Sequence, residues 1–192
     1  MMNEAEKTFL PMRTIHKLTL LALFLLFFSH CNRDPDSRIL YDFESDAELN
    51  HLYWNCHTLY SLSNDHATHG SKSLKMELYP SDYPGLVPLL AVTDWRGYTE
   101  FCFDVYNPSG QPVRIGVRID DRKDYPDHSE RYNSDFILKK GSNHIAIPLE
   151  SVVASGSKRP LNIENIRRMF IFMKHPDKRT TLYVDTISLK RN

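Results

Sequence analysis

DWRGYTEFCFDVYNPSGQPVRIGVRIDD, residues 94–121, is the stretch that decides the fold of this 192-residue chain. From Glu100 to Tyr106 apolar and polar residues alternate with a period of two, the pattern of a strand with one buried face. The segment Pro112–Asp121 repeats this alternation. Between them, Asn107–Pro112 contains two prolines and a glycine, which favour a reversal of the chain. The stretch therefore predicts a pair of antiparallel strands, each with an apolar face and a polar face that lies in water.

Short alternating or apolar runs, separated by turn residues, continue along the rest of the chain. The other predicted strands cover residues 39–44, 51–63, 71–78, 86–92, 134–139, 144–149, 166–174 and 182–190. The run 166–174 is apolar on both parities, which predicts a central strand, and Lys140–Asn143 predicts a hairpin turn. Because no amphipathic helix of useful length is predicted, we expect an all-β domain. Its expected form is a two-sheet antiparallel β-sandwich, or jelly roll, of about nine strands.

Composition fits one folded domain with a tail, because 41% of the residues are hydrophobic and 25% are charged. The 24 Lys and Arg residues balance the 24 Asp and Glu residues. A chain without net charge has no global basic field to attract nucleic acid or an anionic membrane surface. We therefore expect no nucleic-acid partner, and we place the folded domain at residues 39–192.

The first 30 residues resemble a secretory signal. Met12–Lys17 is a short basic segment, and Leu18–Phe28 is an apolar run too short for a comfortable membrane span. Ser29–Cys31 then resembles the cleavage site of a bacterial lipoprotein signal, in which Cys31 becomes the lipidated first residue. An uncleaved anchor, with Cys31 an ordinary thiol, is the alternative. We expect residues 1–30 to be a signal segment and 31–38 a tether, with the domain exported to the periplasm or cell surface.

Two cysteines remain if Cys31 is acylated. Cys56 and Cys102 can form a single disulfide in an oxidising compartment, or they can be two separate small thiols. The sequence has no CxxC or Cys/His spacing that indicates zinc.

Five short motifs occur in a characteristic order: DFE at 42–44, GSKSLKMEL at 70–78, the stretch 94–121, HIAIPL at 144–149 and LYVDTISL at 182–189. This order resembles the jelly-roll carbohydrate-binding modules of the galactose-binding-domain-like type, which are attached to agarases and other glycoside hydrolases. The resemblance covers essentially residues 39–190. It implies a jelly-roll fold that binds carbohydrate.

The resemblance also implies a structural calcium ion, held by Glu44 and Asp185. First and last strands are commonly neighbours in such sandwiches, which would bring Asp42 close to the same two carboxylates. Carboxylate and backbone carbonyl oxygens suit Ca²⁺, which takes about 6–8 oxygen ligands. The alternative is that these carboxylates cap turns or pair with lysines.

The ligand face is predicted from the polar positions of the central strands. Sugars need flat rings for their C–H faces and planar polar groups for paired hydroxyls, which aromatic, Arg and Asp side chains supply. The candidate residues on the concave sheet are Asp104, Tyr106, Arg114, Arg118, Asp120, Asp135, Arg168 and Phe170, with Asn133, His144, Phe172 and Lys174 beside them. A solvated ladder of cross-strand ion pairs is the alternative.

Aromatic residues outside these rows divide into three groups. Trp95 and Tyr98 introduce a strand and are interpreted as packing residues. Tyr53 and Tyr60 fit either the core or a binding platform, as does Trp54. Tyr125 lies on the long charged loop 121–131, where it could rim a binding site.

We therefore expect a lipid-anchored, non-catalytic carbohydrate-binding protein. One alternative is a protein-interaction or assembly module of the same fold, which predicts an exposed apolar patch near Phe170 and Phe172. Another is a small glycan-active hydrolase or lyase, although the sequence has no GxSxG, phosphate-loop or HExxH motif. Its candidate residues are the carboxylates of Asp104, Asp120 and Asp135, or a lyase-like set of Tyr106, Arg118 and His144.

Overall fold

Two antiparallel sheets account for most of the computed structural model, which describes residues 36–53 and 57–191. The strands are β1 (Ser37–Tyr41), β2 (Leu52–Tyr53), β3 (Thr58–Ser63), β4 (Ser73–Leu78), β5 (Gly85–Pro88), β6 (Glu100–Asn107), β7 (Val113–Asp120), β8 (Tyr132–Leu138), β9 (Gly141–Pro148), β10 (Arg168–Phe172) and β11 (Thr180–Lys190). The helices are α1 (Asp46–Leu49) and three 3₁₀ turns, His128–Glu130, Leu149–Ser151 and Ile163–Asn165. The predicted all-β sandwich is confirmed, with eleven strands in the described residues instead of about nine.

One sheet has the order β3-β4-β11-β6-β9, with β1 also paired to β11, and the other has the order β2-β5-β10-β7-β8. Strand β11 is long enough for two partners on one side. Its residues 180–184 pair with β4 and its residues 187–190 pair with β1. First and last strands are therefore neighbours, as expected. Strand β10 lies at the centre of its sheet, as its apolar residues on both parities predicted.

The core lies between the sheets and follows the predicted parity. It includes alternate residues of the two strands in the stretch 94–121, namely Phe101, Phe103, Val105, Ile115, Val117 and Ile119, all of them buried. Burial of each such side chain contributes about 1.5–3 kcal/mol relative to exposure. Trp95 is fully buried and stacks on Phe101, with ring centroids 5.2 Å apart. Its predicted packing role is confirmed.

The predicted pairing of the two strands in that stretch is wrong. Strand β6 pairs with β9 and β11, whereas β7 pairs with β8 and β10 in the facing sheet. The hairpin predicted at Lys140–Asn143 is wrong for the same reason, since β8 and β9 also lie in different sheets. Turn residues reverse the chain, but an alternating strand buries its apolar face equally well in either sheet. The side-chain amide of Asn107 supports the first crossing by donating to the carbonyls of Gln111, at 2.9 Å, and Leu138, at 3.4 Å.

The run 51–63, predicted as one strand, contains β2 and β3, which belong to different sheets. Trp54 and Cys56 lie outside the described residues, as do the signal segment and Cys31, so the lipidation and the disulfide stay predictions. Burial raises the pKa of the Cys102 thiol to about 11. No helix among the described residues is long and apolar enough to cross a bilayer.

Candidate functional site

The predicted ligand residues lie on two opposite surfaces of the sandwich. Asp104 and Tyr106 belong to β6 and face outward from the six-stranded sheet, next to β9 and β11. The other six face outward from the five-stranded sheet: Arg114, Arg118, Asp120, Asp135, Arg168 and Phe170. Because β6 and β7 are in facing sheets, their polar rows point in opposite directions. One ligand face containing all eight residues is therefore wrong, and the part played by each residue stays a prediction.

We use the name arginine face for the outward rows of β7, β8 and β10, together with Arg131 and Lys174. Strand register builds this surface. Arg168 pairs with Asp120, and Phe172 pairs with Gly116. A Cβ added to Gly116 would meet the Phe172 ring at 2.6 Å, so the missing side chain at position 116 makes room for the ring. The same register brings Asn133 of β8 beside Arg118.

Asp120 is the centre of a buried ion-pair network on this face. The Arg118 guanidinium donates from Nε to Oδ1 at 2.7 Å and from Nη2 to Oδ2 at 2.6 Å. Arg168 donates from Nη1 to Oδ2 at 2.9 Å. The Asp120 side chain is 0% exposed and that of Arg118 is 14% exposed. The expectation that these side chains lie in water is wrong, because two guanidiniums replace the water that the carboxylate would otherwise need.

A second set of ion pairs on the arginine face is more open to solvent. Asp135 accepts from Lys174 at 2.8 Å, and Arg114 Nη1 lies 3.8 Å from its other oxygen. Exposed pairs of this kind contribute little to stability. The arginine face therefore combines a buried network at one end with the solvated ladder of the alternative interpretation at the other.

Three exposed tyrosines lie on the five-stranded sheet or on the loops beside it. The Tyr125 ring is 81% exposed and lies 4.0 Å from the guanidinium carbon of Arg168. Tyr83 is 47% exposed and meets Phe172 edge to face, with ring centroids 5.7 Å apart. Tyr53 is 57% exposed and pairs with Val87, on the parity opposite to the buried Leu86. Tyr53 is thus exposed, as a binding platform requires, and Tyr125 is exposed, as the rim of a site requires. Tyr60 instead packs against the core.

Sequence reasoning missed Tyr83 and Arg131. Tyr83 lies in the loop before β5, where no periodicity marks a residue. Arg131 is one position beyond the last pair of β7 and β8, Ile119 and Tyr132, and so flanks Asp120. The alternation that places Asn133 on the outward face also places Arg131 there, two residues earlier, so the sequence pattern contained a signal for Arg131. Burial, followed by repulsion from Arg118, lowers the pKa of the Arg131 guanidinium.

The opposite surface contains a separate polar cluster around Asp104. His144 Nδ1 lies 2.6 Å from Asp104 Oδ1, and Thr68 Oγ1 donates to Oδ2 at 2.7 Å. The His66 ring stacks on Tyr106, with centroids 3.4 Å apart. His66 and Thr68 of segment 64–70 thereby line a cavity of about 260 Å³, together with Asp104, Tyr106 and His144.

Neither of the catalytic constellations predicted from sequence is assembled. Asp104 faces away from Asp120 and Asp135, because it belongs to the other sheet. Arg118 is separated in the same way from Tyr106 and His144.

Asp185, predicted as a metal ligand, anchors segment 64–70. Its Oδ2 accepts from the backbone N–H groups of Thr68, at 2.6 Å, and His69, at 3.0 Å, and its Oδ1 accepts from Thr186 N–H at 2.7 Å. Thr186 has a φ of 49° at an irregularity between β11 and β6, which turns the Asp185 carboxylate towards these donors. Burial raises the pKa of the Asp185 carboxyl, against the effect of these hydrogen bonds.

Glu44 holds the end of the same segment. Its Oε1 accepts from the N–H groups of Ser71, at 2.8 Å, and Lys72, at 2.7 Å, while the Ser71 hydroxyl donates to Oε2 at 2.9 Å. Asp42 lies nearby, with one carboxylate oxygen 3.8 Å from His69 Nδ1.

The contacts of Glu44 and Asp185 bear on the predicted calcium site. Hydrogen-bond donors already meet the carboxylates of Glu44 and Asp185, whereas calcium needs converging oxygen lone pairs. Within residues 36–53 and 57–191, no group of three or more His, Cys, Asp or Glu residues is placed to hold a metal ion. The arrangement does not fit a calcium ion as it stands, and calcium binding stays a prediction.

No protein-family model matches the chain, and no curated protein matches it in sequence. In structure it is similar to the family 11 carbohydrate-binding module from Clostridium thermocellum, in complex with a β-1,3-1,4-mixed-linked tetrasaccharide. The identity is 21% and the TM-score 0.60, over 81% of this chain and 96% of the module.

The chain is also similar to an exo-β-agarase, at 16% identity and a TM-score of 0.63, over 80% of this chain and 25% of the enzyme. A third similar structure is a xylan-binding domain from Paenibacillus barcinonensis, at 13% identity and a TM-score of 0.52, over 82% of this chain and 97% of the domain. The resemblance to jelly-roll carbohydrate-binding modules is therefore confirmed at the level of the fold.

Proposed function

We propose that this chain is an exported carbohydrate-binding protein, anchored by a lipid on Cys31, that binds a poly- or oligosaccharide on the arginine face without catalysis. The observation that carries the proposal is the position of Tyr53, Tyr83 and Tyr125. Tyr125 contacts Arg168 of the network, Tyr83 contacts Phe172, and Tyr53 is exposed on β2 at the edge of the same sheet. Flat rings stack on the C–H faces of sugars, and guanidiniums bind neighbouring hydroxyls in pairs.

The Asp120 network would prepare the site for binding. Asp120 fixes the guanidiniums of Arg118 and Arg168 before any ligand arrives, because both donate to its oxygens. Side chains that are already ordered lose little conformational entropy when they bind. The unused N–H donors of Arg118 and Arg168 are therefore available to sugar hydroxyls at low cost.

Structural similarity supports the same function. Among the similar structures, one holds a mixed-linked tetrasaccharide and another is a xylan-binding domain. We transfer carbohydrate binding to this chain as a proposal, since the shared fold alone does not establish a shared ligand.

Neither alternative function gains support from the arginine face. A protein-interaction module would need an exposed apolar patch at Phe170 and Phe172. Phe172 is buried, and the two rings stack on each other 4.5 Å apart among charged side chains. For a glycan-active enzyme, Asp104 lies on the opposite surface, and Asp120 and Asp135 on the arginine face are each paired with two cations.

Affinity gel electrophoresis tests the binding. We expect retardation of the full-length chain by at least one plant or algal polysaccharide in the gel. Replacing Tyr53, Tyr83 and Tyr125 by Ala together should abolish the retardation, while Leu59→Ala, an exposed residue of the six-stranded sheet, should leave it unchanged. Equal retardation of the triple variant would exclude the arginine face, and no retardation by any polysaccharide would contradict the function itself.

Metabolic labelling tests the anchor. In a bacterial host, a fatty-acid probe should label the wild type and leave Cys31→Ser unlabelled, with the variant released from the membrane fraction. Equal labelling of both proteins would show that Cys31 is not the lipidated residue.

A further inference from the structure

The arginine face has an excess of positive charge in a chain that has none overall. Among the residues that define this face, the cationic side chains outnumber the carboxylates. The two carboxylates are Asp120 and Asp135. The five cations are Arg114, Arg118, Arg131, Arg168 and Lys174. Since the whole chain has 24 basic and 24 acidic residues, this excess is a local feature of one surface.

The two carboxylates are already shared. Asp120 accepts from both Arg118 and Arg168, and Asp135 pairs with both Arg114 and Lys174. Each carboxylate therefore compensates two cations at once. Among the residues that define the arginine face, the five cations exceed the two carboxylates by three charges.

Arg131 is the cation of this face that has no ion-pair partner of its own, although the nearby Asp120 attracts it. Among the described residues no carboxylate lies within ion-pair distance of its guanidinium. Its Nη1 donates to the carbonyl of Pro126 at 3.3 Å, and its Nε is buried without a hydrogen-bond partner. Burial and repulsion from Arg118 both oppose the charge of this guanidinium. Because Arg131 is only partly buried, an anion that reaches the rest of the guanidinium would offset both effects.

We propose that the ligand of the arginine face is an anionic polysaccharide, with a carboxylate or sulfate group bound at Arg131 beside the Arg118–Asp120–Arg168 network. This inference rests on the proposed function and names its ligand class. A guanidinium binds either anion through two parallel hydrogen bonds. The exposed tyrosines would stack on the sugar rings that separate the charged groups along the polymer.

Matched polymers separate charge from backbone in affinity electrophoresis. Polygalacturonate and its methyl ester share one backbone, and the ester lacks the carboxylate charge. Carrageenan and its desulfated form share a backbone and differ in sulfate. We expect the full-length chain to bind polygalacturonate or carrageenan at least tenfold more tightly than the matched neutral polymer, and to lose this preference as salt is raised. The two pairs also distinguish carboxylate from sulfate.

Arg131→Gln tests the position of the anion, because Arg131 has no carboxylate partner to leave unpaired. We expect about tenfold weaker binding of the charged polymer, a smaller loss for the neutral one and a folded protein by circular dichroism. Arg131→Lys should restore part of the affinity. Arg179→Gln is the matched control, since Arg179 is an exposed arginine that pairs with Glu77 of the six-stranded sheet.

Three results would overturn the inference. Equal binding of the charged polymers and their neutral forms would refute the ligand class and leave the carbohydrate-binding function intact. Unchanged affinity of Arg131→Gln for the charged polymer would refute the position of the anion. Failure to bind any polymer, charged or neutral, would refute the function and this inference together.

Discussion

Asp120 accepts a hydrogen bond from Arg118 at each of its two carboxylate oxygens, although the residues lie only two positions apart on β7. Positions i and i+2 of a strand share one face, so both side chains lie on the same outward surface. The Arg118 side chain extends along its own strand to Asp120, and Arg168 donates to the same carboxylate from β10. The network is thus a buried element of an outer surface.

Removal of the central carboxylate should destabilise the protein. Asp120→Ala leaves two partly buried guanidiniums without their partner, and we expect the free energy of unfolding to fall by about 3 kcal/mol. Urea denaturation measures the change. The control, Asp135→Ala, removes a carboxylate from the more exposed pairs and should cost less than about 1 kcal/mol. Similar losses in the two variants would contradict a special role for Asp120.

Tyr125 should contribute to binding and little to stability. Its ring is largely exposed and stacks on Arg168, so Tyr125→Ala removes a surface for sugar stacking without opening the core. We expect affinity for the bound polysaccharide to fall about threefold to tenfold, with an unchanged melting temperature. Calorimetric titration and a thermal melt give the two values. A lower melting temperature with full affinity would reverse this assignment.

Gly70 should tolerate no side chain. Its φ is 65°, which disfavours other residues, and an added Cβ would overlap the Glu44 carboxylate. We expect Gly70→Ala to lower the free energy of unfolding by about 1–3 kcal/mol. Gly110→Ala is the control, because no atom lies within 4 Å of the added Cβ and its φ is not positive. Chemical denaturation of both variants should separate them clearly.

Acid should weaken the contact between Asp121 and Arg159. Burial raises the pKa of the Asp121 carboxyl, but hydrogen bonds from Arg159, at 2.7 and 3.1 Å, and from Asn162 N–H outweigh it and lower the pKa. A carboxyl with a lowered folded-state pKa stabilises the protein above its unfolded pKa of about 3.9. This stabilisation is lost as the pH falls through the folded-state pKa.

The Asp121→Asn variant should therefore depend less on pH. We expect its free energy of unfolding to fall less steeply than that of the wild type as the pH drops below about 4. Asp124→Asn, an exposed position on the same loop, should behave like the wild type. Identical pH profiles for Asp121→Asn and the wild type would show that the ion pair makes no contribution.

Metal removal should have little effect in the arrangement described. Because N–H and O–H donors occupy the carboxylates of Glu44 and Asp185, we expect a chelator to leave the melting temperature unchanged. A rise in melting temperature on addition of calcium, absent in Glu44→Gln, would instead support the calcium ion that the family resemblance implies.

Local pattern was sufficient for the fold class and for the core. The alternation in Glu100–Asn107 and Val113–Asp120 predicted the inward apolar rows, because a period of two places every second residue on one face. It did not predict the burial of Cys102 and Asp120, which lie on the polar parity. The pattern could not predict which sheet each strand would join. Turn residues determine that the chain reverses, and two alternating strands bury their apolar faces equally well side by side or face to face.

The assignment of each strand to one of the two sheets determined the composition of the candidate site. With β6 and β7 in facing sheets, Asp104 and Tyr106 lie on one surface and Arg118 and Asp120 on the other, although all four were predicted on one face. Burial of Asp120 was also beyond the sequence, since it depends on Arg168, which is 48 residues away. The sequence by itself determined which residues point inward and which outward, because that follows from backbone geometry. Only the tertiary structure decided which outward residues meet, because that depends on contacts between strands far apart in the chain.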